Sequence, residues 1–309
     1  AARLGGTEAV EILAETELWP STLILASWAG LSPSLINARL TEKSLSRYRR
    51  FAPLLAPALR ALSLVAAQTE GDAERFRALG VPRARVRVTG NAKYDRTAAP
   101  AASEGARAFV AALGWDGFPL FVAGSTHPFE EEMVLAAYKA ARRLIPSLRL
   151  VLAPRHLERC ADAADLLRHA GLCTARWSSA PGPGADALLL DVMGVLPAFY
   201  PLARAAFVGG TLVPVGGHNL LEPALAGVPV LFGPHTGHVE PPAELLAGEG
   251  GGGRRVRDAV QLAARLTEFG RDEGLARAAG AAARRTAARL QGATARTLAA
   301  LDEERRCQA

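Results

Sequence analysis

The sequence predicts an α/β protein with two domains, each built on a parallel sheet. Short apolar runs alternate with amphipathic stretches over most of the 309 residues, and this alternation is typical of βαβ units. The length agrees, since one domain takes about 150 residues. A small, polar, proline-bearing segment interrupts the pattern at residues 98–106. We therefore expect a first domain at 1–97, a linker at 98–106, a second domain with C-terminal helices at 107–309, and a cleft between the domains.

The first domain is predicted to contain four strands separated by helices. Apolar runs of strand length occur at Val10–Ala14, Leu31–Asn37, Leu62–Ala67 and Val86–Thr89. The intervals carry helix signals, namely Pro20 in the first turn of Leu18–Ala29, a start at Thr41, and Gly80 after Asp72–Leu79.

The second domain repeats this alternation. Its predicted strands are Leu120–Ala123, Leu148–Ala153, Leu188–Leu190, Ala205–Val208 and Val228–Phe232. Its predicted helices are Phe129–Leu144, Leu157–His169 and Asn219–Ala226, with two Ala/Arg-rich helices after the glycine run Gly248–Gly253. Ligands of open α/β folds bind where the strands end, so the functional residues are expected in the loops that follow them.

Composition excludes several classes of protein. Half of the residues are hydrophobic and 21% are charged, as in a folded globular chain. The net charge of +6 is mostly arginine, but no RNA-recognition signature or zinc-finger spacing accompanies it, so no nucleic-acid partner is expected. The run Arg47–Phe51 is either a solvated helix face or a surface for phosphorylated lipid headgroups. No apolar run reaches the roughly 18 residues that a membrane-spanning helix needs.

Three strand-to-helix junctions of the second domain carry polar, glycine-bearing strings. At Gly124–Pro128 a phosphate could approach the start of a helix, or Ser125 or Thr126 could simply cap it. At Ala153–His156 the arginine suits a phosphate or carboxylate, unless it pairs with a neighbouring acid.

The third junction, Phe207–Pro223, is the most specific of the three. Its glycines permit close backbone approach, and the predicted helix near Asn219 could receive a phosphate. Glu222 lies on the same helical face as Asn219 and could accept hydrogen bonds from two ribose hydroxyls.

Other chemistries lack their motifs. The sequence has no G-x-x-x-x-G-K-[ST] loop, no H-E-x-x-H and no G-x-S-x-G. No G-x-G-x-x-G follows a strand, which disfavours a nicotinamide enzyme, and no histidines pair at metal-ligand spacing near a carboxylate. We interpret His235 and His238 as part of a loop beside the nucleotide cleft rather than as metal ligands.

An ordered series of motifs resembles one enzyme family. The series is E-T-E-L-W-P from Glu15, N-A-R-L from Asn37, T-G-N-x-K from Thr89, A-G-S-T-H-P from Ala123, A-P-R-H from Ala153, D-x-M-G from Asp191, F-V-G-G-T-L-V-P-x-G-G-H-N-x-x-E-P from Phe207, and G-P-H from Gly233. The chain is similar over about Glu11–Arg257 to the 3-deoxy-D-manno-octulosonic acid (Kdo) transferases of lipopolysaccharide assembly.

The resemblance implies a GT-B glycosyltransferase with two Rossmann-like domains, the first of them incomplete here. It implies an inverting, metal-independent transfer of Kdo to a lipid A precursor, with CMP-Kdo as co-substrate and no cofactor. The implied donor-binding residues are Ser125 and His127 by the phosphate or sugar, Arg155 and His156 by the cytidine monophosphate, Met193 and Gly194 near the base, Gly216, Gly217 and Asn219 at the phosphate, and Glu222 on the ribose. The implied acceptor-side residues are Glu15, Glu17 and Arg39.

The family's general base is a glutamate in a Gly-Glu motif near the start of the first domain, and no such segment precedes Val10–Ala14. Because the sequence also begins without Met, we expect the base and a membrane anchor to lie upstream of Ala1, and the chain as given to be inactive. A UDP-sugar transferase and a non-catalytic nucleotide-sugar-binding protein are the alternatives. The resemblance implies the cytoplasmic face of a bacterial inner membrane, or a mitochondrion in a plant or alga.

Overall fold

The computed structural model describes residues 11–16, 18–31 and 33–308. The chain forms two compact units. The first takes residues up to Arg96 together with those from Leu290 onward, and the second takes Thr97–Arg289. The last helix therefore groups with the first unit, whereas the sequence pattern placed the whole of 107–309 in the second domain. The expected linker at 98–106 is also partly helical, because a helix begins at Glu104.

The first unit contains a parallel sheet in which consecutive strands are neighbours, in the order β1-β2-β3-β4. The strands are β1 Ile12–Ala14, β2 Ser34–Ala38, β3 Leu64–Ala67 and β4 Val86–Val88. The helices that connect them are α1 Pro20–Trp28, α2 Glu42–Arg50, α3 Ala52–Ala61 and α4 Glu70–Ala78. Leu35, Val65 and Phe76 are fully buried in its core. The predicted helix start is confirmed, since the Thr41 side chain accepts the Ser44 N–H at 3.2 Å.

The C-terminal helix joins this unit through an aspartate that lies far away in sequence. The Asp95 carboxylate accepts the N–H groups of Gly292 at 2.6 Å and of Thr294 at 2.7 Å, where helix α12 (Ala293–Gln308) begins. The Arg296 guanidinium donates to the Thr89 carbonyl oxygen at 2.8 Å. A carboxylate at a helix N-terminus satisfies N–H groups that have no partner inside the helix. This contact explains why the last helix groups with the first unit.

The second unit contains seven parallel strands in the order β11-β10-β9-β5-β6-β8-β7. They are β5 Leu120–Thr126, β6 Arg149–Pro154, β7 Thr174–Arg176, β8 Ala187–Leu189, β9 Ala203–Val208, β10 Val230–Phe232 and β11 Gly253–Arg255. Successive residues point to opposite faces, so Phe121 and Val122 enter two different buried clusters. The apolar pattern predicted five of these strands and missed β7 and β11, which are three-residue edge strands that contain arginine.

Helices complete both faces of this sheet. They are α5 Glu104–Ala112, α6 Glu130–Leu144, α7 Cys160–His169, α8 Leu221–Leu225, α9 Glu240–Ala247, α10 Ala259–Arg271 and α11 Glu273–Leu290. Helix α8 is shorter than the predicted Asn219–Ala226, because the Asn219 side chain forms a turn with the Leu221 N–H at 3.0 Å. Three helices follow the glycine run rather than the predicted two. Asp272 and Gly292 (φ +85°) separate them.

The order of the strands defines a switch point. The chain passes from β5 to β6 on one side and later returns to β9 on the other side of β5. The loops after β5 and β9 therefore diverge around one crevice at the carboxyl edge, which is where open α/β sheets bind ligands.

Candidate functional site

A histidine cluster lies at this switch point. His127 follows β5 and His218 lies in the loop after β9, and their Nε2 atoms are 2.7 Å apart. The two rings are nearly parallel, with an interplanar angle of 4° and centroids 5.0 Å apart. His156, after β6, meets His127 edge-on with centroids 5.7 Å apart. Three loops that are distant in sequence thus bring three imidazoles together.

The pair His127 and His218 is neutral in the free protein near neutral pH. Burial, together with His127, Arg155, His156 and His238, lowers the pKa of His218 to about 4. Burial also lowers the pKa of His127, where Glu130 opposes the shift and the neighbouring His156 and Arg155 add to it. With both imidazoles neutral, one Nε2–H donates to the other Nε2. An anion placed here would favour the protonated forms.

Arg155 supplies a permanent positive charge beside the histidines. Its side chain is exposed, and no carboxylate among the residues that the structure describes forms an ion pair with it. The alternative of an arginine paired with a neighbouring acid therefore finds no support in that part of the chain. His156 is also exposed, and its Nδ1 is 3.9 Å from the nearest Glu158 carboxylate oxygen. A guanidinium with free donors suits a phosphate or carboxylate.

The glycine string after β9 folds into a compact loop. The Gly210 carbonyl oxygen accepts the N–H groups of Gly216 at 3.1 Å and Gly217 at 2.8 Å. All three glycines have positive φ, and a Cβ on Gly216 would lie 2.6 Å from the His238 ring. The two amides expected to contact phosphate are therefore used inside the loop. What Gly216 and Gly217 provide is a tight turn that carries His218.

The start of α6 differs from both interpretations of the Gly124–Pro128 junction. Neither Ser125 nor Thr126 caps the helix, because the cap residue is Phe129, with φ +72° and no side-chain cap bond. Ser125 itself has φ +55° and is half-buried. The carboxylate of Glu130 accepts the His127 N–H at 3.0 Å and occupies the position where a phosphate was expected. Two anions repel each other, so this carboxylate disfavours a phosphate at the His127 N–H.

Asn219 and Glu222 form a second polar group in the same unit. The Asn219 amide donates to Glu222 Oε1 at 3.2 Å and to Thr97 Oγ1 at 3.3 Å. Burial raises the pKa of Glu222, while the hydrogen bond from Asn219 opposes that shift. Asn219 is exposed and Glu222 is half-buried, so a ligand could still reach the carboxylate. The geometry agrees with the expected capacity of Glu222 to accept hydroxyl groups.

Met193 and Gly194 lie in the loop after β8, at the same edge of the sheet. Met193 is 59% exposed, and Gly194 is exposed with φ +83°. Strand β6 separates β8 from β5, and no ring contact or hydrogen bond joins these two residues to the histidine cluster among the described residues. Their expected position near a base stays a prediction.

The acceptor-side residues lie at the carboxyl edge of the first unit. Glu15 follows β1 with φ +62°, and its carboxylate pairs with Lys93 Nζ at 2.8 Å. Arg39 follows β2, and its N–H donates to the Glu15 carbonyl oxygen at 3.3 Å. Glu17 lies outside the described residues. The T-G-N-x-K motif contains Lys93, but the sequence pattern gave this residue no role. In the structure it is the ion-pair partner of Glu15.

The sequence pattern also missed two buried acids. Glu130 and Glu131 begin α6 and are 0% and 2% exposed. Glu131 accepts from Thr126 Oγ1 at 3.1 Å and from Arg159 at 3.2 Å, and burial raises its pKa. Acidic residues are common in the first turn of any helix, so the run Glu130–Glu132 gave no sign of burial.

Comparison with known proteins identifies the family. The model of the 3-deoxy-D-manno-octulosonic-acid transferase (kdotransferase) family matches residues 8–96. A 3-deoxy-D-manno-octulosonic acid transferase from Bordetella pertussis is 36% identical over 301 residues, which cover 94% of this chain and 68% of that protein. The chain belongs to the Kdo transferase family. Its relative from Haemophilus influenzae is 36% identical over 73% of this chain, and the one from Aquifex aeolicus is 34% identical over 84%.

The chain is shorter than these Kdo transferases. It spans 53% of the Haemophilus influenzae protein and 65% of the Aquifex aeolicus protein.

Solved structures give the fold of this Kdo transferase family member. The C-terminal CMP-Kdo binding domain of WaaA from Acinetobacter baumannii superposes with a TM-score of 0.54 at 25% identity, covering 58% of this chain and 94% of that domain. A glycosyltransferase from Rickettsia africae matches 96% of this chain and 76% of its own, with a TM-score of 0.57 at 13% identity, which bears on the fold alone. The two parallel sheets and these likenesses establish the GT-B fold.

The described residues contain neither a metal-binding group nor a membrane-spanning helix. Among the described residues, no three His, Cys, Asp or Glu side chains are grouped so that they could hold a metal ion. In the same part of the chain, no helix has the length and apolar character needed to cross a membrane.

Proposed function

We propose that this chain binds CMP-Kdo in its second unit and belongs to an enzyme that transfers Kdo to a lipid A precursor. The observation that carries the proposal is the cluster of His127, His156 and His218 at the switch point. It lies beside Arg155, which forms no ion pair with any residue that the structure describes. CMP-Kdo carries a phosphate and a carboxylate, and this cluster offers one fixed positive charge and three imidazoles that can take up protons. The name of the Acinetobacter baumannii domain supports the same donor.

The proposed reaction inverts the anomeric centre without a metal ion or a cofactor. An acceptor hydroxyl attacks the anomeric carbon of Kdo, its oxygen forms the new glycosidic bond, and the bond to the CMP phosphate oxygen breaks. Arg155 and the histidines would stabilise the negative charge that develops on the leaving phosphate. A general base takes the hydroxyl proton. Glu222 would accept hydrogen bonds from the ribose hydroxyls, and Asn219 would contact the phosphate.

The acceptor is assigned to the first unit. Glu15 and Arg39 follow neighbouring strands. Together with Glu17 they are proposed to face the lipid A precursor. The exposed Phe51, at the end of the basic run from Arg47, is proposed to lie toward the membrane that holds this acceptor. The same proposal includes association with a membrane. The protein would lie at the cytoplasmic face of a bacterial inner membrane or, as the alternative, in a mitochondrion of a plant or alga.

Nucleotide binding tests the donor. The purified chain is titrated calorimetrically with CMP and, separately, with UDP. We expect CMP to bind and UDP to bind at least about tenfold more weakly, a difference of about 1.4 kcal/mol. A preference for UDP would instead identify a UDP-sugar transferase.

Catalysis is tested separately. The Gly-Glu base of the family has no counterpart before β1, so we expect the 309 residues to bind CMP-Kdo without transferring Kdo. Transfer to a lipid A precursor is followed by mass spectrometry, with the Aquifex aeolicus relative as positive control. Measured transfer by the 309 residues would show that the base lies within them.

A further inference from the structure

A fully buried carboxylate joins the two loops that carry His127 and His218. Glu130 is 0% exposed. Its Oε2 accepts the His127 N–H at 3.0 Å and the Gly210 N–H at 2.6 Å. Its Oε1 accepts the Thr211 N–H at 2.9 Å and the Leu212 N–H at 2.8 Å. Each oxygen thus accepts two bonds, which is its full capacity, and all four are charge-assisted.

These four bonds connect the two halves of the histidine pair. The first N–H belongs to His127 itself. The other three begin the loop after β9, and the Gly210 carbonyl oxygen then accepts the N–H groups of Gly216 and Gly217, directly before His218. Fixing Gly210 on Glu130 therefore fixes the place from which His218 reaches His127. Without this carboxylate, three consecutive N–H groups would be left without an acceptor.

We propose that Glu130 is a positioning residue of the donor site, which holds His127 and His218 together so that one anionic group of the donor meets both imidazoles. This inference rests on the proposed function, because it assigns the pair to the donor. Glu130 does not touch the ligand, since its carboxylate is fully enclosed and its lone pairs are filled. Its effect reaches the donor only through the two loops.

The neighbouring Glu131 provides the comparison that separates positioning from stability. Its side chain is 1% exposed and pairs with Arg159 at 3.2 Å, and it also accepts from Thr126 Oγ1. It makes no hydrogen bond to the glycine loop among the described residues. Glu130 and Glu131 are thus adjacent, equally buried and fully partnered. Only the first one connects the histidine loops.

The negative charge of Glu130 gives a second way to test its role. The groups that face His127 are Glu130 on its own segment, Arg155 and His156 in the loop after β6, and His218 in the loop after β9. His238, in the loop after β10, faces His218. Glu130 is the negative group in this set, and it works to raise the pKa of His127. Replacing its carboxylate by an amide therefore lowers the pKa of His127 further. Anion binding that depends on protonated His127 should therefore strengthen only at a lower pH.

The experiment compares E130Q with E131Q and with E132Q, whose side chain is exposed, in the full 309-residue chain. CMP affinity is measured by calorimetry between pH 5 and 8, and unfolding is followed in urea. In E130Q an amide NH₂ faces two N–H donors, and we expect CMP affinity to fall at least about tenfold and its acid limb to shift to lower pH. We expect E131Q to unfold at lower urea while it keeps CMP affinity within about twofold. E132Q should match the wild type.

Equal losses of CMP affinity in E130Q and E131Q, in proportion to their losses of stability, would overturn the proposal. If E130Q does not fold, E130D and E131D replace the two variants. E130D keeps the charge but withdraws the carboxylate by one methylene, so CMP affinity should again fall while E131D keeps it. An E130D variant that folds with wild-type affinity would also overturn the proposal.

Measurements on the ligand-free protein test the positioning role of Glu130 separately from the proposed donor. Amide hydrogen exchange at Gly210, Thr211 and Leu212, and the imidazole ¹⁵N shifts of His127 and His218, are recorded by NMR in the wild type and in E130D. Faster exchange with separated imidazole signals supports positioning even if CMP does not bind, in which case the proposed donor alone fails. Unchanged exchange and shifts in E130D would reject the role of Glu130 whatever CMP does.

Discussion

His127 and His218 share a hydrogen bond of 2.7 Å between their Nε2 atoms although 91 residues separate them in sequence. Burial lowers the pKa of both side chains, that of His218 to about 4. The two histidines are therefore protonated at lower pH in the native protein than in the unfolded chain, where the pKa of a histidine is about 6.5. Where the unfolded state binds more protons than the native state, the free energy of unfolding decreases as the pH falls.

The first prediction is a loss of stability as the pH falls from about 6.5 to 4. In that window the unfolded His218 is protonated and the native one is neutral. We expect the loss to be at most about 2 kcal/mol, after allowance for solvent at this half-buried site. Urea unfolding at a series of pH values measures it. H218N should flatten the profile, whereas H169N, on an exposed position of α7, should keep it.

The second prediction concerns Arg155. Because its guanidinium has no carboxylate partner among the described residues, R155A should leave the free energy of unfolding within about 0.5 kcal/mol of the wild type. CMP binding should weaken by about 2 kcal/mol, or roughly thirtyfold, since a charged hydrogen-bond donor to phosphate is removed. Its dependence on salt should also become shallower. R168A, which removes an exposed arginine paired with Asp165, is the matched control. Unaltered CMP affinity in R155A would contradict the assignment.

The sequence pattern predicted where several strands of the second unit end, but not the bonding inside the loops that follow them. Strands β5, β6 and β9 are continuous buried runs, so their carboxyl ends could be predicted, and with them the places of His127 and Arg155. His218 was given no role, although it lies in the string from Phe207 to Pro223. Two details of the bonding in these loops differ from what the local patterns indicated. The amides of Gly216 and Gly217 bond inside their loop, and Glu130 occupies the helix N-terminus that a phosphate was expected to reach. The first arrangement is a turn inside one loop, whereas the Glu130 carboxylate also bonds to a loop about 80 residues away, a contact that no local pattern contains.

The same reason explains the misassigned C-terminus. Residues 290–309 follow the second domain in sequence and share its Ala/Arg-rich composition, so continuity was the only guide. The contact that decides their place, from Asp95 to the N–H of Gly292, spans 197 residues. The short strands β7 and β11 were missed because three residues with arginine carry too little apolar periodicity.

The third prediction follows from that contact. D95N keeps the shape of the side chain but weakens the acceptor of the Gly292 and Thr294 N–H groups, and we expect a loss of about 1 kcal/mol in the free energy of unfolding. Amide exchange over Ala293–Thr297 should accelerate most. D302N changes an exposed aspartate on the same helix and should leave both measurements unchanged. Equal exchange rates in D95N and the wild type would show that the helix stays docked without this cap.

The fourth prediction concerns the backbone of the glycine loop. Gly217 has φ +87°, and a Cβ there would lie 2.8 Å from Val239 Cγ2 and 3.1 Å from Thr211 Cγ2. G217A should therefore cost about 1–3 kcal/mol, because it combines backbone strain with a clash in a packed loop. Gly237 lies in the next loop without a positive φ and with nothing within 4 Å of its Cβ position, so G237A should be neutral or slightly stabilising. Urea unfolding of both variants tests the claim, and CMP titration of G217A shows whether the displaced loop also moves His218. A G217A variant as stable as the wild type would contradict the expected strain and clash at this position.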